Sequence, residues 1–141
     1  MTDSPNVPRV LHRFESNQGH FLTGMMIAFL TDLYRVTKEA KYLDAALTIY
    51  TFAAGGTSAI YESTASHKFA WGCAWLYRQT GIAEHLESAC RVSDYLVRTQ
   101  EEDGSFVHWA FVKSSAEWPY SPRLNVTGQF ALWISRTLDL L

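Results

Sequence analysis

Nine consecutive residues at 69–77 are apolar or glycine: Phe69, Ala70, Trp71, Gly72, Cys73, Ala74, Trp75, Leu76 and Tyr77. The run is too short to cross a bilayer, and a helix that is apolar on every side is a buried one. Arg78-Gln79-Thr80-Gly81 closes it, with Gly81 suited to a left-handed cap. The pattern then changes. Over 83–99, Leu86, Ala89, Cys90, Leu96 and Val97 keep helical spacing with Ser93 in the same stripe, while Glu84, Glu87, Arg91, Asp94 and Arg98 take the other side. The pattern predicts a buried helix over 66–80, a tight turn, and an amphipathic helix over 83–99.

The same unit stands earlier in the chain. Leu33-Tyr34-Arg35 matches Leu76-Tyr77-Arg78 at an offset of 43 residues, and at that offset Thr37 falls on Thr80, Ala40 on Ala83, Leu43 on Leu86 and Ala46 on Ala89. A nearly all-apolar stretch, 21–33, precedes that turn, and 41–54 after it is amphipathic through Leu43, Ala46, Leu47, Tyr50 and Ala53. Two helices per unit at a spacing of about 40 residues is a repeat signature. The predicted helices are therefore 19–36, 41–54, 66–80, 83–99 and a fifth, 125–140, with Asn125 as its cap. The first, third and fifth are expected inside and the other two outside.

Residues 1–18 are polar, carry Pro5 and Pro8, and read as an extended arm before a helical domain at 19–141; Val10, Leu11 and Phe14 are its candidate contacts with the body. Gly55-Gly56 stops the second helix, and 57–65 is a polar connection with Tyr61 and Glu62. Glu101, Glu102, Asp103 and Gly104 form a turn cluster. The segment 106–123 interrupts the repeat with Trp109, Trp118, Pro119, Tyr120 and Pro122; it reads as irregular and as a lid or wall for a pocket.

At 141 residues, 48% hydrophobic and 18% charged, the chain has the length and composition of one globular domain. A net charge of −2 gives no electrostatic reason to expect nucleic acid. No basic segment precedes an apolar one at the start, so no secretion signal is read and the expected setting is cytoplasmic, with no membrane partner. Cys73 and Cys90 both fall in apolar helical stretches and are expected to be buried, reduced thiols.

Candidate chemistry starts from the aromatics. Trp71, Trp75, Trp109, Trp118, Tyr120 and Trp133 lie on or beside the helices expected inside. They fit either core filling or an apolar substrate pocket. His20 and His67 each open a helix expected inside, and His108 sits in the aromatic segment. With Tyr61 and Gln129 they are the candidate catalytic donors. His85 reads as structural. No histidine pair has metal-ligand spacing and no cofactor-binding motif occurs, so neither a metal nor a cofactor is expected. Carboxylates are scarce on these helices, with Asp32 near one helix end and Glu62, Asp103 and Glu117 in loops, where Glu62 is a candidate substrate contact. That scarcity weighs against glycoside hydrolysis, which uses two facing carboxyls.

The turn motifs Leu33-Tyr34-Arg35-Val36-Thr37 with Tyr42-Leu43-Asp44-Ala45-Ala46, and Leu76-Tyr77-Arg78-Gln79-Thr80-Gly81 with His85-Leu86-Glu87-Ser88-Ala89, resemble those of the α/α toroids. Among these they resemble the six-hairpin glycosidases and the N-acylglucosamine 2-epimerase superfamily. Gln100-Glu101-Glu102-Asp103-Gly104-Ser105-Phe106 is similar to the repeat end of the terpenoid-cyclase toroids, which place Trp where Phe106 stands. The resemblance implies an all-α fold of antiparallel helical hairpins around a central pocket. With two and a half hairpins where a full ring has about six, the chain is expected to be a compact partial toroid, or one of two chains that complete a larger ring. No Asp-Asp-rich cyclase motif and no epimerase histidine pattern accompanies it. The implied function is an isomerase or cyclase of small molecules, working in an aromatic pocket by shape and one or two donors. Its alternatives are a sugar-active hydrolase or epimerase with Glu62 or Asp103 as acid, and a non-catalytic binding or assembly domain. The apolar fifth helix also leads to an expected homodimer with Trp133 or Leu141 in the interface.

Overall fold

The computed structural model describes residues 10–15, 18–106 and 120–141, with 120–123 as backbone. The described residues are helical, with no strand among them. They form α1 (Phe21–Thr37), α2 (Ala40–Ala54), α3 (His67–Thr80), α4 (Ala83–Arg98) and α5 (Tyr120–Leu138), plus two 3₁₀ turns at Ser58–Ile60 and Thr64–Ser66. No helix among them is long and apolar enough to cross a membrane.

The two α-helix turns agree bond for bond at the 43-residue offset. Thr37 Oγ1 donates to Leu33 O at 2.8 Å, as Thr80 Oγ1 does to Leu76 O at 2.7 Å. Each threonine oxygen then accepts from the backbone two residues on, from Glu39 N–H and from Ile82 N–H. Lys38 N–H donates to Tyr34 O and Gly81 N–H to Tyr77 O. Both capping residues are left-handed, at φ 61° for Lys38 and 69° for Gly81. Gly81 takes this conformation without strain, whereas lysine pays about 1 kcal/mol for it.

α3 is the centre. It packs on α1, α4 and α5, and buries Phe69, Ala70, Gly72, Cys73, Ala74 and Leu76. Phe69 is fully buried, with Tyr50 and Tyr61 as ring neighbours, and truncating such a side chain costs about 3–5 kcal/mol. The approach of α1 to α3 is closest at two glycines. A Cβ on Gly24 would stand 2.0 Å from Lys68 O, and one on Gly72 would stand 2.6 Å from Gly24 O. Contacts advance together along both helices, Phe21 meeting His67 and Gly24 meeting Gly72.

Several expectations change. α1 and α5 are not inside: α1 exposes Met25, Met26, Phe29 and Val36, and α5 exposes Leu124, Leu132 and Leu138. Among the described helices, α3 is the one that packs on α1, α4 and α5 together. Cys90 is exposed while Cys73 is buried, and both are free. The buried stripe of α4 is His85, Ser88, Ala89, Val92 and Leu96, so Cys90 and Val97 turn to solvent. Burial pushes the Cys73 thiol well above its ordinary pKa. α5 begins at Tyr120, five residues before the expected cap. Pro122 then falls in the first turn, where a missing N–H costs nothing. Asn125 is instead an exposed helical residue that accepts from Gln129 Nε2 at 2.7 Å.

The expected arm contacts also differ. Val10 and Phe14 are exposed and only Leu11 is partly covered. The segment is held by the buried Gln18 side chain, which bonds His12 N–H, His12 O and Glu15 O. It docks beside the end of α2, where Arg13 O accepts from Thr57 N–H at 3.3 Å.

The glycine contact yields a test. Gly24→Ala or Gly72→Ala gains about 1 kcal/mol of helix propensity but overpacks backbone against backbone, for a net loss of about 2–3 kcal/mol. Gly128→Ala on α5, whose Cβ would meet nothing within 4 Å, gains up to about 1 kcal/mol. Urea unfolding of the three variants checks both signs; a Gly24→Ala protein as stable as the parent would refute the close packing.

Candidate functional site

Among the described residues, Phe21, Trp71, Phe106, Phe130 and Trp133 gather along the N-terminal half of α3 between α1 and α5. Lys68 opens that side. Its Nζ lies 5.2 Å from the ring centre of Phe21 on α1 and 5.2 Å from that of Trp133 on α5. One turn further along α3, Trp71 meets Trp133 at 4.8 Å between centroids. Beside Lys68, the buried His67 ring lies 6.2 Å from Phe21 and 4.8 Å from Phe130, and Phe130 in turn meets Phe106 edge-on. Phe106 is fixed by its N–H, which donates to Thr127 Oγ1 at 2.9 Å. Trp71, Trp133 and Lys68 are each partly exposed, so this cluster, the aromatic groove below, is open to solvent rather than sealed core.

The groove has definite electrostatics. Burial lowers the Lys68 pKa from its ordinary value, while two ring faces attract the ammonium form, worth about 0.5–2 kcal/mol per contact. His67 Nδ1 lies 2.9 Å from Thr64 O, and a carbonyl only accepts. The proton of the neutral ring is therefore on Nδ1, and Nε2 is its basic nitrogen. A partly dry cation beside an imidazole, between indole and phenyl faces, suits a planar apolar molecule with one anionic group.

The other candidates lie elsewhere. His20 is the residue before α1, and its side chain is buried beside a hollow also lined by Leu11, His12, Arg13, Thr23, Phe52 and Thr57. That hollow has the size of one water molecule, and among the described residues His20 Nε2 has no partner. His20 and His67, expected at one mouth, thus face different neighbours. Tyr61 belongs to a hydroxyl chain under α4: Tyr61 Oη meets Ser88 Oγ at 3.4 Å, Ser88 Oγ meets Tyr50 Oη at 2.9 Å, and Tyr50 donates to Glu84 Oε1 at 3.2 Å. Arg91 covers the Tyr61 ring at 3.9 Å. Burial pushes the Tyr50 phenol up, so that hydroxyl keeps its proton.

Gln129 is exposed on α5 and bonded to Asn125, outside any groove. Glu62 is exposed, and Asp103 folds back on Ser105 in an exposed turn. His108, Trp109, Trp118, the Tyr120 side chain and residues 107–119 of the expected lid lie outside the described residues. His85 is structural as expected. It stands edge-on to Tyr50 at 4.6 Å and donates from Nδ1 to Thr80 Oγ1, whose own proton goes to Leu76 O. Among the described residues no group of three His, Cys, Asp or Glu side chains is placed to hold a metal.

Sequence reasoning missed Lys68. Its signal was there: it is the one formal charge between Glu62 and Arg78, three residues before Trp71 on a helix otherwise apolar to its last turn. Comparison with protein-family models, with curated proteins and with solved structures returns no match.

His20 and His85 make stability depend on pH. Burial lowers both pKa values below 6.5 in the folded chain. Unfolded, each imidazole takes its proton near 6.5; folded, only at lower pH. Between those values the unfolded chain binds more protons, so stability is full above 6.5 and drains as pH falls through the folded values. Urea midpoints measured from about pH 7 to about pH 5 should decline, and less so in a His20→Asn, His85→Asn protein. Midpoints that rise with acidity would contradict the burial of neutral rings.

Proposed function

We propose that the chain is a small-molecule-binding helical domain whose site is the aromatic groove at Lys68, built on antiparallel helical hairpins of a partial α/α toroid. The observation that carries this reading is the placement of Lys68 Nζ between Phe21 and Trp133, with the Trp71 ring against Trp133. Lysine on a protein surface ordinarily extends into water. Here the amine is drawn back between two rings, which leaves a cation in a shielded position where a carboxylate gains most from meeting it. The repeated Thr37 and Thr80 turns support the hairpin architecture. The free thiols Cys73 and Cys90 support a reducing, cytoplasmic setting.

A second reading, isomerisation or cyclisation of the bound molecule, is favoured by one feature. His67, next to Lys68 with its proton on Nδ1, is the base this reading assigns, and its buried Nε2 requires the bound molecule to displace a neighbouring ring. The hydrolase reading has no comparable feature, since Glu62 and Asp103 lie on exposed turns.

Binding is tested by tryptophan fluorescence with benzoate, using benzamide as the uncharged control. Benzoate is expected to give a saturable change and benzamide none. Lys68→Met should weaken benzoate at least about tenfold, the equivalent of 1.4 kcal/mol. Equal binding of both probes, or benzoate binding that survives Lys68→Met, would sink the proposal. Turnover is read separately by proton NMR in D₂O with a 3-aryl-2-oxopropanoate, whose C3 protons lie α to the ketone. Exchange of its α-proton by the parent but not by His67→Gln supports the base, and exchange unchanged in His67→Gln removes it.

A further inference from the structure

Away from the aromatic groove, residues 10–15, the start of α1 and the end of α2 meet at the small hollow beside His20. Its lining joins three basic side chains, His12, Arg13 and His20, to the hydroxyls of Thr23 and Thr57, and the rest of it is apolar. Among the described residues no carboxylate lines it. Glu15, the one acid of residues 10–15, is exposed and stands outside. Glycines bring Arg13 to this place. Its guanidinium lies against Gly55, where a Cβ would run into Nη2, and its carbonyl accepts from Thr57 N–H at 3.3 Å. Arg13 has no ion pair among the described residues, where the paired cations are Arg35 and Lys41.

The donors here outnumber what they meet. Thr23 Oγ1 donates to His20 O at 2.7 Å and is committed. Thr57 Oγ1 accepts from Ala59 N–H at 3.3 Å, but its own proton goes to no partner among the described residues. His20 is 7% exposed, and its Nε2 is buried with no partner. A buried polar atom left so is a cost to the fold unless a bound group meets it. α1 also starts here with no side-chain cap and no acid in its first turn, so the positive end of its dipole is uncompensated. A water molecule would fill the hollow and leave that charge unanswered. An anion of similar size answers the charge and the donors together. The same size leaves no room for a sulfate, a phosphate or a carboxylate.

We propose that this hollow binds one monatomic anion of chloride size, held by the Arg13 guanidinium, the Thr57 hydroxyl and the His20 ring, and that the anion fastens residues 10–15 to α1 and α2. Binding is linked to a proton. Burial lowers the His20 pKa, so the ring is neutral near pH 7, and an anion beside it favours the imidazolium. His12 and Arg13 are the other titratable or charged groups lining the hollow, and neither brings negative charge. Anion and proton therefore favour each other. Affinity rises as pH falls, by at most about tenfold per pH unit for one coupled proton.

Urea midpoints of the whole chain in sodium chloride and in sodium gluconate of equal ionic strength test this, with chlorine NMR line widths as the direct readout. Gluconate is too large for the hollow. Chloride should raise the midpoint above gluconate, and the protein should broaden the chloride resonance. Affinity should be at least about threefold tighter at about pH 5.5 than at about pH 7.5. Arg13→Gln, a change at an exposed residue, should remove both effects. His20→Asn should remove their pH dependence; should it fail to fold, Arg13→Gln decides alone. Lys68→Met should keep both effects, which separates this site from the aromatic groove. Equal midpoints in the two salts with no broadening overturn the proposal, and water then fills the hollow. So does a chloride effect that survives in Arg13→Gln, that is lost in Lys68→Met, or that weakens as pH falls.

Discussion

The contact of Gly24 with the backbone of Lys68, Phe69 and Gly72 sets the geometry on which the other features depend. Two glycines inside helices sacrifice about 1 kcal/mol each in propensity. What they gain is an approach with no side chain between the helices, close enough for dispersion to act between main chains. Phe21 lies one turn before Gly24, and the same approach carries its ring over His67 and under the Lys68 amine. A wider crossing would lift Phe21 from both. The groove and the core are therefore one packing problem, solved at a point that offers no chemistry of its own.

What could be read in the sequence was what is decided locally. The Leu-Tyr-Arg-x-Thr turn appears twice because its bonds run between residues at most four apart, as Thr37 to Leu33 and Thr80 to Leu76 show. The apolar run at 69–77 identified the central helix for the same reason. The face of α4 was misjudged because its polar members are satisfied from afar. Ser88 and His85 are buried since Tyr50, more than thirty residues earlier, supplies their partners. Apolar periodicity alone then assigned the stripe to Cys90 and Val97. Trp71 and Trp133 were both singled out, and their rings meet. The lysine that joins them was not, because its role depends on Phe21 and Trp133 arriving from two other helices.

The candidate acids and bases show how much a site depends on where backbones meet. His20 and His67 have nearly identical sequence settings, each at the opening of an apolar helix. One ends beside a water-sized hollow at the end of α2, the other among rings at the edge of a groove. Their difference comes from the repeat itself. At the 43-residue offset His67 falls on Gly24 and His20 on Ser63, so the two histidines occupy different positions of the unit and meet different neighbours.

The capping residue at the first turn carries a consequence for how the chain reaches this arrangement. Lys38 adopts the left-handed conformation that glycine adopts at position 81, and the turn around it is unchanged. The reversal is thus specified by the threonine hydroxyl and not by backbone permissiveness. Each link spans only two residues, the shortest closure anywhere among the helices, and closure entropy grows with the logarithm of the loop. The helix pairs α1–α2 and α3–α4 are consequently the least costly structures for the unfolded chain to sample. Docking Gly24 on Gly72 must close the much longer stretch between them, and so carries the larger closure entropy.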